Sequence, residues 1–320
     1  MRKESKSITE FSETLNEHLF DKHPDMAADH TVTIRQVTKN NGVCLHGLTI
    51  SENDVNIAPT IYIDQYYADY LDGLGLEEIT ERIINTYLTN RHENVSLDFF
   101  TDFESAKDRL AMKVINAEKN VEMLKDIPHY RFGDLAAIFQ VQVDATEFGN
   151  AVITVKNEHL KMWAVTIETL MEHAMANMDE KQPVRIQSMV EVMSEMMGDN
   201  VPEEMLSNDD RMYVMTNESR FNGAAAMIFT DKLDEFAQNR ETNLYILPSS
   251  IHEILLIPDT GGMDVTTLET TVKEVNETQV APDEILSDNV YYYDRDTKTI
   301  YIAATHEPCI LKCCSENCAA

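Results

Sequence analysis

Six polar residues sit at the ends of apolar runs in the C-terminal half of the chain: Asn217, Arg220, Asn222, Ser249, Ser250 and His252. They lie in MTNESRFNGAAAMIF and LYILPSSIHEILLIPD. If Met212–Thr216 is a strand, Asn217, Glu218 and Arg220 leave its end just before a helix N-terminus. Such a place suits an anion or a polar ligand. Ser249, Ser250 and His252 would face it from a turn between two further strands. A serine becomes a nucleophile when its hydroxyl reaches an imidazole nitrogen and a third group orients the ring. Glu253 is not that group by position alone, because neighbouring strand residues point to opposite faces. No G-x-S-x-G elbow, phosphate loop or G-x-G-x-x-G accompanies the six. They define a candidate polar pocket for an enzyme or small-ligand binder. The plainer alternative is a serine-rich hairpin turn with a surface histidine.

A second cluster is the C-terminal CILKCCSENC, with Cys309, Cys313, Cys314 and Cys318 behind His306. Four soft ligands could hold zinc. Structural zinc sites present two separated pairs on turns, however, and one compact run seldom closes a tetrahedron. No cofactor is therefore expected, and residues 306–320 read as a frayed tail whose thiols oxidise readily. Cys44 stands alone, so the cysteines form no disulfide framework of a secreted domain.

The elements that would carry these residues follow from periodicity and capping. Ser7 and Glu10 form an S-x-x-E capping box ahead of a helix over about 8–21. Thr31–Val37 and Val43–Ile50 alternate on either side of Asn40-Asn41-Gly42, a hairpin signal. Thr60–Ile63 is a third strand, a short helix starts at Tyr66, and Glu77–Arg91 is a helix with Ile79, Ile83, Ile84 and Tyr87 on one face. Thr101 and Glu104 make a second capping box. Leu110–Ile115, Leu135–Val143 and Ala151–Val155 read as strands, the last two as an antiparallel pair. Asn157 is the expected cap of one helix whose apolar stripe runs from Leu160 to Met178. A second helix carries Met189, Val192, Met193 and Met196. A helix over about 220–239, strands Leu244–Leu247 and Ile254–Ile257, a helix capped by Thr266 and Glu269 with Leu268, Val272 and Val275 inward, and a Val290–Tyr293/Thr299–Ala303 hairpin complete the chain. Strands in hairpins with helices between them indicate an α+β fold with a largely antiparallel sheet. The expected organisation is an N-terminal αββ(β)αα unit over 1–97, a main α+β domain over 98–305 and the cysteine tail.

Charge narrows the function. The chain has 26 Lys+Arg against 56 Asp+Glu, a net of −30, and the excess recurs in every third of the sequence. Phosphate contacts need a basic surface, so direct binding to nucleic acid or to an anionic membrane is disfavoured. A basic protein partner, or imitation of a nucleic-acid backbone, fits better. No signal peptide and no apolar run of the ~20 residues that span a membrane is visible, so a cytoplasmic location is expected. Methionines crowd two helices (Met162, Met171, Met175, Met178, Met189, Met193, Met196, Met197) as core filler or as an adaptable partner surface.

The segments VTKNNGVCLHGLTI, IAPTIYIDQYY, MTNESRFNGAAAMIF, LYILPSSIHEILLIPD and VNETQVAPDEILSDNVYYYDRDTKTI together resemble a bacterial family catalogued only as a domain of unknown function. Its members are often associated with mobile elements. The likeness runs from about residue 8 to 303 and is most specific from 212 onward; the cysteine tail is outside it. It implies no activity, cofactor or catalytic residue. The expectation is a non-enzymatic cytoplasmic accessory or protein-interaction protein.

Overall fold

The computed structural model describes residues 7–56, 58–91, 97–143, 151–197 and 211–314. The chain divides between Leu97 and Asp98 into two compact units. All strand pairings among the described residues are antiparallel, in three sheets, so the fold is α+β.

The smaller unit follows its local signals closely. Helix α1 (Ile8–His18) begins with the capping box, Glu10 N–H donating to Ser7 Oγ and Ser7 N–H to Glu10 Oε2. Strands β1 (His30–Thr38), β2 (Cys44–Glu52) and β3 (Thr60–Tyr62) form a meander. Asn41 sits at φ 60° in the β1–β2 turn, a conformation asparagine tolerates. Helices α2 (Asp64–Leu71) and α3 (Leu76–Asn90) complete the unit. Phe11 and Leu15 of α1 and Ile79, Ile83 and Ile84 of α3 close one core with Leu48 and Ile50.

The larger unit opens with two single-turn helices, α4 (Asp98–Thr101) and α5 (Phe103–Ala106). Asp102, rather than Thr101, caps α5. A first sheet contains β4 (Leu110–Asn116), β5 (His129–Phe132), β6 (Leu135–Gln142) and β7 (Val152–Thr154), with helical turn α6 (Val121–Leu124) between β4 and β5. β6 is central: it pairs with β4 on one side and with β5 and β7 at different ends of the other. The long apolar stripe expected as one helix is two, α7 (Asn157–Trp163) and α8 (Ile167–Lys181). Ala164 at φ 53° turns the chain between them, and the Thr166 hydroxyl caps α8. Asn157 is the first residue of α7 rather than its cap, and its amide donates to Lys125 O.

The second sheet has seven strands. Edge strand β8 (Val184–Ser188) leads into α9 (Met189–Met197). Then come β9 (Tyr213–Asn217), a 3-10 segment over Gly223–Ile228 and α10 (Thr230–Arg240), again two pieces where one helix was expected. β10 (Leu244–Leu247) and β11 (Ile254–Pro258) form a hairpin. α11 (Val265–Gln279) is capped by Asp264, not Thr266, and Val275 is exposed rather than inward. The hairpin β12 (Tyr291–Asp294)/β13 (Thr299–Ile302) follows. The tail is not frayed through residue 314. β14 (Glu307–Pro308) extends the second sheet and β15 (Lys312–Cys313) pairs with β5 at the edge of the first.

The two sheets share one core. Met112, Val114 and Phe139 of the first meet Met215, Ile246, Leu256 and Tyr293 of the second, with Leu170 and Ala174 of α8 and the alanines 224–226 between. α6 covers the outer face of the first sheet and α11 that of the second. Among the described residues, no helix is long and apolar enough to cross a membrane.

Candidate functional site

The polar residues singled out at the strand ends do come together. β9 ends in Asn217, and the chain turns through Arg220 and Asn222, both left-handed at φ 55° and 52°. The returning 3-10 segment lies against the Ser250–His252 turn ahead of β11. Thr216 Oγ1 donates to His252 O at 2.8 Å, and Asn222 N–H donates to His252 Nδ1 at 3.3 Å. His252 N–H donates to Ser250 Oγ at 3.0 Å. Asn217, Asn222 and Ser250 are buried, and a buried amide without partners would be costly. Asn217 Nδ2 donates to Phe221 O at 2.9 Å and Gln182 Oε1 at 3.1 Å; Asn222 Nδ2 reaches Gln140 Oε1 of β6 at 3.0 Å. The loop is thereby fastened to the other sheet.

These bonds fix what the cluster can do chemically. A backbone N–H occupies the lone pair of His252 Nδ1, which places the proton on Nε2, 3.5 Å from Glu284. Ser250 Oγ accepts from the main chain instead of meeting an imidazole lone pair. The triad geometry considered from sequence would need that lone pair aimed at the hydroxyl. Ser249 is half-buried, and its carbonyl accepts from Leu286 N–H. Arg220 ion-pairs with Glu195 of α9, which also accepts from Gln187 at 2.7 Å and Arg185 at 3.4 Å. The Gln187 amide first, and then the two guanidiniums, hold the Glu195 carboxyl below the usual range. Glu253 is half-buried; burial pushes its carboxyl up, with His252 and Arg220 opposing and Glu284 adding to the rise. Two clefts of about 320 and 360 Å³ are lined by other residues, one beside β8 and one beside β5.

The cysteines part company. Cys309 packs on the main core, and burial, together with the charges of Asp134 and Glu307, pushes its thiol to about 12, so it is protonated at neutral pH. Cys313 is disulfide-bonded, Cys314 is exposed, and Cys318 lies outside the described residues. No group of three or more possible metal ligands gathers among the described residues.

A polar network that sequence reasoning missed joins the two sheets. Asp134, in the β5–β6 turn, accepts from Tyr291 Oη, from Ser287 Oγ at 2.7 Å and from Asn116 Nδ2 at 3.2 Å. All four residues are buried. Tyr291 is the first of three consecutive tyrosines on β12, and each phenol donates to a carboxylate: Tyr292 to Asp259 at 2.8 Å and Tyr293 to Asp234 at 3.1 Å. The Tyr-Tyr-Tyr run was visible in sequence; its distant acids were not.

Burial, and then the facing carboxylate, raises all three phenols: Tyr291 well above its ordinary value, Tyr292 to about 12, and Tyr293 further still. The unfolded tyrosines lose their protons near the ordinary value of about 10 while the folded ones keep theirs, so the unfolded state gains stability as pH rises. The protection is complete below about pH 10 and is lost as pH climbs toward the folded values. Urea unfolding midpoints should fall as pH climbs from about 10 toward about 12, and Tyr293→Phe should flatten that fall. An unchanged slope in the variant would refute the assignment.

Neither a curated protein sequence nor a solved structure matches the chain. A family model does: residues 8–295 match the family of unknown function DUF5688, so the chain belongs to that family, with its cysteine-bearing end beyond the matched region.

Proposed function

We propose that this is a non-enzymatic accessory protein of the cytoplasm that acts by binding another protein. The observation that carries the reading is the state of the joint. Asn217, Asn222, Ser250 and His252 are engaged with one another and with Gln140 and Gln182. Groups that hold a fold in this way are architecture rather than catalytic machinery. The surface supports the same reading. None of the residues Met189–Met196 of α9 is buried, although Val190, Val192, Met193 and Met196 make that stretch strongly apolar. Met196 is 76% exposed. Adaptable methionine surfaces suit partner recognition. The net charge of −30 favours a basic partner over nucleic acid or an anionic membrane.

The test uses Met193→Glu and Met196→Glu in the full chain. Each should weaken capture of the partner from an extract of the source organism roughly tenfold, as charging an interface anchor does, while leaving the thermal melt unchanged. Capture by the wild type should also weaken with salt. If both variants retain the same proteins at wild-type levels, α9 is not the surface and the reading fails. If the purified chain turns over a substrate and His252→Ala abolishes turnover, the joint is an active site after all.

A further inference from the structure

The outer face of the first sheet carries a charge arrangement that the rest of this acidic chain does not explain. Along β5, Tyr130 and Phe132 point into the main core, so His129 and Arg131 point to the opposite face. β15 pairs with β5 in a register that sets Lys312 directly opposite Arg131, and Cys314 N–H donates to His129 O at 3.1 Å. Directly paired residues share a face at about 5 Å between Cβ atoms, and like charges placed so destabilise a sheet. Neither cation has a carboxylate in ion-pair contact among the described residues. With 56 acids against 26 bases, a relieving acid would be easy to supply.

Beside the pair lies a groove of about 360 Å³. That volume falls in the range of small-molecule sites, roughly 300–1,000 Å³. Val121, Leu124 and Ile127 give it an apolar wall; Lys125, His129 and Arg131 give it a cationic and polar one, and among the described residues no carboxylate lines it. Lys125 is held at the rim by Glu122, at 2.6 Å. His129 is only 7% exposed, and its Nδ1 bonds Ile127 O at 2.7 Å. Nδ1 is therefore the donor, and Nε2 keeps a lone pair that meets no partner among the described residues. Burial, opposed by the bond to Ile127 O and assisted by Arg131, lowers the ring's basicity. Two unneutralised cations beside an apolar wall are the complement of an amphipathic anion.

We propose that this groove binds a small organic carboxylate, its apolar body on Val121, Leu124 and Ile127 and its head between Arg131 and Lys312. Cys314 lines the groove and Lys312 stands beside it opposite Arg131; both come from the segment beyond the family-matched residues, so that segment contributes to the site.

The experiment titrates the full chain with hexanoate, with hexanol as the neutral body and inorganic phosphate as an anion without one. Hexanoate should raise the melting temperature saturably at millimolar concentrations and shift the His129 ring signals in the NMR spectrum. Arg131→Gln should weaken it roughly tenfold and Lys312→Gln several-fold, the range expected for losing charge-assisted contacts. Without ligand, both variants should melt at or above the wild-type temperature, because the like-charge pair is relieved; this separates lost binding from lost folding. The proposal is overturned if hexanoate moves neither observable, if hexanol binds as well as hexanoate, if phosphate binds where hexanoate does not, or if both variants bind hexanoate like the wild type.

Discussion

Gly223→Ala should destabilise the larger unit by roughly 3 kcal/mol or more, at the upper end of the cost of overpacking. A Cβ on Gly223 would sit 2.0 Å from Thr216 Oγ1, 2.4 Å from His252 O and 2.9 Å from Asn217 N. The first contact belongs to a side chain, but one held in place by its bond to His252 O. The other two are main chain and cannot swing aside. Room appears only if the end of β9 and the Ser250–His252 turn move apart. That separation strains the Asn222–His252 and Thr216–His252 bonds together and leaves buried polar groups short of partners. Urea denaturation followed by tryptophan fluorescence measures the loss, since Trp163 packs on the same core. The double variant with Thr216→Ala should recover only part of it, because both main-chain contacts persist. A single-variant cost below about 1 kcal/mol would mean that the turn yields easily, contrary to its packing.

The same joint shows why the sequence was legible in part. Helices α1 and α3 declared themselves through a capping box and an i, i+3, i+4 stripe, both local signals. The breaks at Ala164 and Phe229 did not. Apolar spacing records which side chains turn inward, and it is blind to one non-helical residue between two helices, whether left-handed as Ala164 or at φ −80° and ψ 74° as Phe229. β5 and β8 escaped because HYRF and VRIQS are short and mix polar with apolar residues; the neighbouring strands and tail, not propensity, make them strands. The cap of α11 was misplaced because Asp264 and Thr266 are both plausible caps two residues apart, and only geometry decides.

At the candidate site, composition identified the right residues and not their employment. Asn, Ser and His at strand ends were noticed because such residues populate joints. Their partners lie far off along the chain: Asn222 meets Gln140, Asn217 meets Gln182, and Arg220 meets Glu195. No local pattern encodes those pairings. The tail was legible only in part. Its cysteines suggested thiols that oxidise readily, and Cys313 is disulfide-bonded, but Cys309 sits against Tyr291 and Gly133 as packing, and the neighbouring Lys312 supplies an edge strand.

Asp134→Ala should cost about 3–5 kcal/mol, a large fraction of the roughly 5–15 kcal/mol that holds a typical domain. The argument rests on what would be left behind. Tyr291 Oη, Ser287 Oγ and Asn116 Nδ2 all donate to this one carboxylate in a buried site, and alanine removes both acceptor oxygens at once. Asn116 retains Leu286 O as a second acceptor, at 3.0 Å, while Tyr291 and Ser287 lose the acceptor of their hydroxyl protons. The network spans β4, the β5–β6 turn and the strand β12 of the other sheet, so the damage falls where the two sheets meet. Asp134→Asn keeps the shape and one acceptor oxygen, but its amide must face a donor among the three, so it should cost less than alanine and more than Tyr291→Phe. The phenylalanine change removes one donor and leaves the carboxylate two, for a loss of about 1.5–3 kcal/mol. Urea unfolding of the three variants at neutral pH, with the slope checked for constancy, gives the ranking. Asp134→Ala within about 1 kcal/mol of wild type would show that the sheets hold together through apolar packing alone.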